Sequence, residues 1–169
     1  MNKEITENVK NFLTPLPKDK TDHSVKKNMK ILRNLYGDTY VESLIWTQED
    51  ARQVLSILGI DQGATFYNFY LNSIEEANCY RSENIYGLSE VLEGFRNPFW
   101  GEKYPDIEKK YLQISSIEGE YSYFYNKQDD SVYGVDWCDM NDFTNDKLVP
   151  LYASFNDFLE WYYSDEDEY

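Results

Sequence analysis

The chain has 169 residues and a mass of 20.1 kDa, enough to bury about 70% of its unfolded surface around one core but short of two full-sized domains. It carries 31 Asp plus Glu against 16 Lys plus Arg, a formal net charge of -15, and that balance repels phosphate backbones and anionic bilayers alike. Neither nucleic acid nor a membrane surface is therefore expected as a partner. Hydrophobic residues at 41% and aromatic residues at 17% supply a core, which argues against disorder despite the charge. The segment MNKEITENVKNF has no signal-peptide core, and no stretch approaches the ~20 apolar residues that span a bilayer, so a cytoplasmic protein is expected. Cys79 and Cys138 are too few for a disulfide framework or a thiolate zinc site.

Charge is uneven along the chain. Residues 1–33 hold eight Lys or Arg and four acids, a local +4 that leaves -19 for the remainder. The basic residues recur at helical spacing and not in one dense block, so a basic helix lying against an acidic body is expected.

A first helix is predicted over 3–12, with Ile5, Val9, Phe12 and Leu13 on one face and Pro15 and Pro17 as its stop. A second is predicted over 24–36, where Val25, Met29, Leu32 and Tyr36 form a stripe ending at Gly37. A third starts at Thr47, with Asp50 completing a capping-box pattern, and runs through Val54, Leu55 and Leu58 to Gly59. Residues 65–71 read as a short helix with Phe66, Phe69 and Tyr70 on one side. From 75 to 105 the chain reads as loop, with one strand near 85–88. The period then changes to two, predicting strands over 111–117, 120–126 and 131–137 in an antiparallel meander, with Tyr121, Tyr123 and Tyr125 opposite Phe124. Residues 148–152 are a candidate fourth strand. Ser154 then caps a helix whose Phe155, Phe158, Leu159 and Tyr162 face the core, with Asp157 completing the capping box.

Catalytic material is scarce. His23 is the only histidine, which removes a triad or multi-histidine metal site, and no glycine-rich phosphate loop is present. The cluster Asp136, Asp139, Asp142 and Asp146 fails the calcium-loop pattern, since Phe143 falls on a ligand position and Thr144 where the turn glycine belongs. Carboxylate pairs such as Glu118 and Glu120 are expected by chance among so many acids. Neither catalytic residues nor a cofactor or metal is expected. The acidic cluster instead reads as a solvated loop or a partner-binding surface, and Trp100 and Trp137, near predicted loops, are candidate anchors of that surface.

The order YLQISSIEGEYSYFYN (111–126), SVYGVDW (131–137) and SFNDFLEW (154–161), together with the 66–71 helix, resembles the SUKH superfamily of bacterial immunity proteins and their eukaryotic cell-wall-regulator relatives over roughly 100 residues. The family's usual Leu-Pro and Asn-Gly segment has no counterpart in LGIDQGATFYNFYLNS. The resemblance implies an α+β domain, a twisted, mainly antiparallel sheet flanked by helices, over 46–163. A helical extension packed on it (1–45) and an acidic tail (164–169) complete the expected organisation. It further implies a non-enzymatic protein that binds and neutralises a cognate polymorphic toxin, a nuclease or another nucleic-acid-acting toxin. The other reading is a general intracellular interaction module for a host regulatory partner. An acidic inhibitor would be steered to a basic substrate site. Spread evenly, a charge of -15 puts only one or two charges on a half-interface of about 800 Å². Clustering is therefore required, and Asp136 to Asp146 is where it is expected.

Overall fold

The computed structural model describes residues 4–72, 85–98, 100–117 and 121–164. Cys79, the whole of the expected 75–105 loop before Ile85, Glu118, Glu120 and the tail beyond Ser164 lie outside the described residues. The fold is α+β. Helices α1 (Glu7–Lys10), α2 (His23–Tyr36), α3 (Asp38–Ser43), α4 (Gln48–Ile57), α5 (Thr65–Asn72) and α6 (Leu88–Arg96) precede strands β1 (Tyr111–Gln113), β2 (Ser122–Asn126) and β3 (Val132–Val135). Helices α7 (Met140–Thr144) and α8 (Phe155–Tyr162) follow them.

The strands form an antiparallel sheet in the order β1-β2-β3, with Leu112 opposite Tyr125 and Phe124 opposite Tyr133. Every residue of β2 is buried, so the alternation of its side chains feeds two cores instead of one core and solvent. Tyr123 and Tyr125 enter the main core with Leu55, Phe66, Phe69, Leu112, Phe155, Phe158 and Leu159. Phe124 enters a smaller cluster on the other face, with Trp100, Tyr111, Tyr133, Val135, Met140 and Phe143. Aromatic rings knit the main core: Phe66 lies 4.4 Å from Tyr125 and 5.0 Å from Phe155, and Tyr123 lies 5.3 Å from Phe158. Tyr121, expected on the same stripe, is 37% exposed at the margin.

The helix caps follow from the sequence. Asp22 accepts from the Ser24 N–H at 2.9 Å, Thr47 from the Asp50 N–H at 3.2 Å and Ser154 from the Asp157 N–H at 3.1 Å. These bonds satisfy donors that a helix start leaves unpaired. Gly59, at φ 74, ends the α4 region in the left-handed conformation that glycine adopts without strain. Lys127 Nζ donates to the Leu58 carbonyl at 3.2 Å, covering an end that α4 leaves open.

The expected elements shift in several places. The first helix is a single turn, α1, although Ile5 and Val9 do enter the main core. The strand expected over 111–117 is three residues followed by a lone bridge between Ser115 and Ile85, and 148–152 contributes only the Tyr152 bridge to Val132. Around 85–88 there is only that bridge, and helix α6 begins at Leu88. Helix α2 forms as expected, but of its stripe only Val25 is buried. Its Lys26, Lys27 and Lys30 form no ion pair among the described residues, and Arg33 pairs with Asp38 of α3 at 2.7 Å. Of the basic residues in 1–33, Lys20 is the one that pairs with the body among the described residues, with Asp50 of α4 at 3.5 Å. Apolar residues of 5–16 also pack on the main core, and Phe12 stacks on Tyr163 at 5.1 Å.

Candidate partner-binding face

Beyond β3 the chain makes the excursion that contains five of the six candidate residues. Asp136 Oδ1 accepts from the Cys138 N–H at 3.1 Å and opens a 3-10 turn, Trp137–Asp139, that leads directly into α7. The segment expected as a solvated loop is thus a folded turn and a helix. Met140 and Phe143, one turn apart, bury against the second face of the sheet, and this burial outweighs the polar composition around them. Phe143 lies 4.2 Å from the Tyr111 ring, 5.0 Å from Phe124 and 5.2 Å from Tyr133. The Tyr104 hydroxyl donates to Asn141 Oδ1 at 2.6 Å, tying the outer side of α7 to the 100–109 segment.

The two tryptophans meet but do not share a role. Trp137 is 56% exposed, and its ring stands edge-on to Trp100 at 5.4 Å and 75°. Trp100 is buried at 8% exposure and packs at 5.3 Å on Phe124. As an anchor reaching outward, Trp100 is corrected by the structure: it is a floor beneath Trp137. An exposed ring held by a buried one keeps its contact area in place at little entropic cost.

The four carboxylates also separate. Asp146, in the left-handed region at φ 59, accepts from Lys110 Nζ at 2.6 Å and from the Tyr111 hydroxyl at 3.3 Å. The Lys110 hydrogen bond and charge hold the Asp146 carboxyl below its ordinary range, and the same bond raises the Lys110 ammonium. Burial pushes the Tyr111 hydroxyl up to about 12. Asp146 is therefore engaged within the molecule, and Asp136 is engaged in its cap. Asp139 and Asp142 make no side-chain hydrogen bond or ion pair among the described residues. The face consequently centres on Trp137 with Asp139 and Asp142 beside it, Asp136 and Asp146 pinning its two ends and Trp100 supporting it from below.

No family model, curated protein or solved structure matches the chain. Among the described residues no helix is long and apolar enough to cross a membrane.

Proposed function

We propose that this protein is a non-enzymatic immunity protein that binds a cognate polymorphic toxin domain, a nuclease or another nucleic-acid-acting toxin, and neutralises it by occluding its active or substrate-binding site. The observation that carries the reading is Trp137, more than half exposed and held by Trp100, beside two carboxylates that the fold itself does not use. An aromatic anchor supplies contact area, and the flanking negative charge fits the cationic substrate site of an enzyme that acts on phosphate backbones. The resemblance of 111–126, 131–137 and 154–161 to SUKH immunity proteins supports the same reading, and a toxin is the partner class that it implies.

The test is a pull-down from the source organism with the tagged protein as bait, followed by an activity assay of the recovered partner. The expected result is the C-terminal domain of a secreted toxin whose activity falls to background on adding the wild-type protein, with Trp137→Ala weakening inhibition at least tenfold. Recovery of housekeeping regulators alone would replace the reading with that of a general interaction module.

A further inference from the structure

Strand β3 lies at an edge of the sheet, and its outer side is only partly used. Val132 donates to the Tyr152 carbonyl at 2.9 Å and accepts from the Leu151 N–H at 2.9 Å and the Tyr152 N–H at 3.0 Å. Two residues opposite one make a bulge, which bends the 149–152 segment off the ladder, and Pro150 brings no N–H with which to continue it. Val149 accordingly stands 80% exposed. Alternation sets the direction of the groups that follow. On β2 the Tyr123 carbonyl accepts from Ile114 on the β1 side, whereas the Asn126 N–H donates to Ser131, so Phe124 and Ser122 bond β3 and their partners Tyr133 and Val135 face inward. Gly134, opposite Tyr123, therefore turns its N–H and C=O outward, and the extended Asp136 does the same with its N–H. None of these three groups has a hydrogen bond among the described residues.

Apolar side chains gather at the same edge. Of nine large hydrophobic residues exposed among the described residues, four flank it: Tyr121, Trp137, Val149 and Leu151. Where a β-carbon on Gly134 would stand, Leu151 Cδ2 is 2.9 Å away and the Tyr121 ring 3.4 Å, so both side chains lie on the Gly134 face of the edge. The backbone says what covers it. A donor and an acceptor on one residue, with a second donor two residues on, match extended main chain and not a helix, whose own groups are already bonded. A second copy does not fit. A two-fold axis at Gly134 sets Asp136 of each β3 against Val132 of the other, where residues 151–152 already lie.

We propose that β3 receives a short extended segment of the toxin domain, added as a fourth strand that pairs with Gly134 and Asp136 and ends before Val132. The proposal rests on the reading of Trp137 as the anchor for that domain, since Trp137 follows Asp136 at the open end of the same strand. Paired residues of neighbouring strands share a face, so the partner residue opposite Gly134 lies beside Tyr121 and Leu151. An apolar side chain is therefore specified there. Main-chain bonds supply the attachment and this one pocket the selectivity, while Trp137 adds contact area beyond the strand end.

Amide hydrogen exchange by NMR on the full chain, free and with the toxin domain recovered by the wild-type bait, tests this. In the free protein the Gly134 and Asp136 amides should exchange fast while Tyr133 and Val135 are protected, and the bound domain should slow both fast amides at least tenfold. Gly134→Ala keeps the N–H and Gly134→Pro removes it, and both add the β-carbon, to which the exposed tip of Leu151 must yield. Gly134→Pro should therefore bind the domain at least tenfold more weakly than Gly134→Ala. Circular dichroism checks that both fold, and the exchange comparison decides alone where Gly134→Pro does not. A Gly134 amide already protected in the free chain would overturn the proposal. A domain whose binding Trp137→Ala weakens, but which leaves Gly134 and Asp136 exchanging as before, would overturn strand addition and keep the immunity reading. Failure to recover any toxin domain, or one indifferent to Trp137, would remove that reading and this proposal with it.

Discussion

The two faces of the sheet are built from the same material and differ at their margins. Both are aromatic, and both take side chains from β2, yet one lies under α4, α5 and α8 while the other is covered by the 100–109 segment and the excursion after β3. The main face packs the fully buried Phe66, Phe155 and Phe158 among aromatic and aliphatic side chains. The second face ends at its margin in an exposed tryptophan and free carboxylates. One strand buried on both sides thus supports two unlike surfaces, because Phe124 of β2 meets both Phe143 of α7 and Trp100, on which the exposed Trp137 stands.

The sharpest way to separate the faces is to remove one ring from each. Phe155→Ala and Phe143→Ala both delete fully buried rings and are expected to cost about 3–5 kcal/mol. They should differ in how the loss is distributed. Phe143→Ala should accelerate amide hydrogen exchange across 137–144 while leaving Tyr123 and Tyr125 protected, whereas Phe155→Ala should lower protection across the whole sheet. Uniform loss in both variants would mean that the two clusters open as one.

A smaller effect distinguishes a carboxylate on each face. Asp130, at φ 68, accepts from the Tyr125 hydroxyl at 2.8 Å and from the Phe155 N–H at 3.4 Å. Asp130→Ala leaves the buried hydroxyl without that acceptor and puts a β-carbon with no compensating hydrogen bond in the left-handed region, so denaturant unfolding should show a loss of about 2 kcal/mol. Burial pushes the Asp130 carboxyl above its ordinary 3.8, against the pull of its two donors. A raised carboxyl makes its contribution below the unfolded value and loses it as pH rises through the folded one. Asp130→Asn, which keeps an acceptor and tolerates this backbone, should flatten that fall and match the wild type or exceed it at neutral pH. Asp146 has the opposite sign: held below 3.8 by Lys110, it stabilises above that value and loses the contribution as pH falls through its folded value. Asp146→Asn should lower the urea midpoint slightly at neutral pH and not at all in strong acid. Ordinary surface screening keeps the effect small, since the pair is largely exposed.

Much of the main face was legible in the sequence. The Thr47 and Ser154 caps, the Phe155, Phe158, Leu159 and Tyr162 stripe and the Tyr123/Tyr125 alternation all carry local signals that tertiary packing then reinforces. Helix α6 of the main face and the whole of the second face were not legible, for identifiable reasons. Helix α6 has an apolar stripe at Leu88, Val91, Leu92 and Phe95, but the glycines at 87 and 94 and the polar run before it resemble loop punctuation. Helix α7 spans five residues with two apolar contacts, too short for a periodicity to register, and it folds because Met140 and Phe143 find rings supplied by β1, β2 and β3. Of the candidate site, the residue types were visible and their division was not. That Trp100 lies beneath Trp137, and that Asp146 is claimed by Lys110, depend on contacts between residues 36 or 37 positions apart.

The most direct measurement is the association rate between this protein and the toxin domain proposed as its partner, by stopped flow across a salt series, for the wild type and for Asp139→Asn with Asp142→Asn. Recognition through the Trp137 face predicts a several-fold slower association of the variant at low salt and convergence of the two at high salt. Identical rates with identical salt dependence would contradict it and remove the acidic face from the interaction.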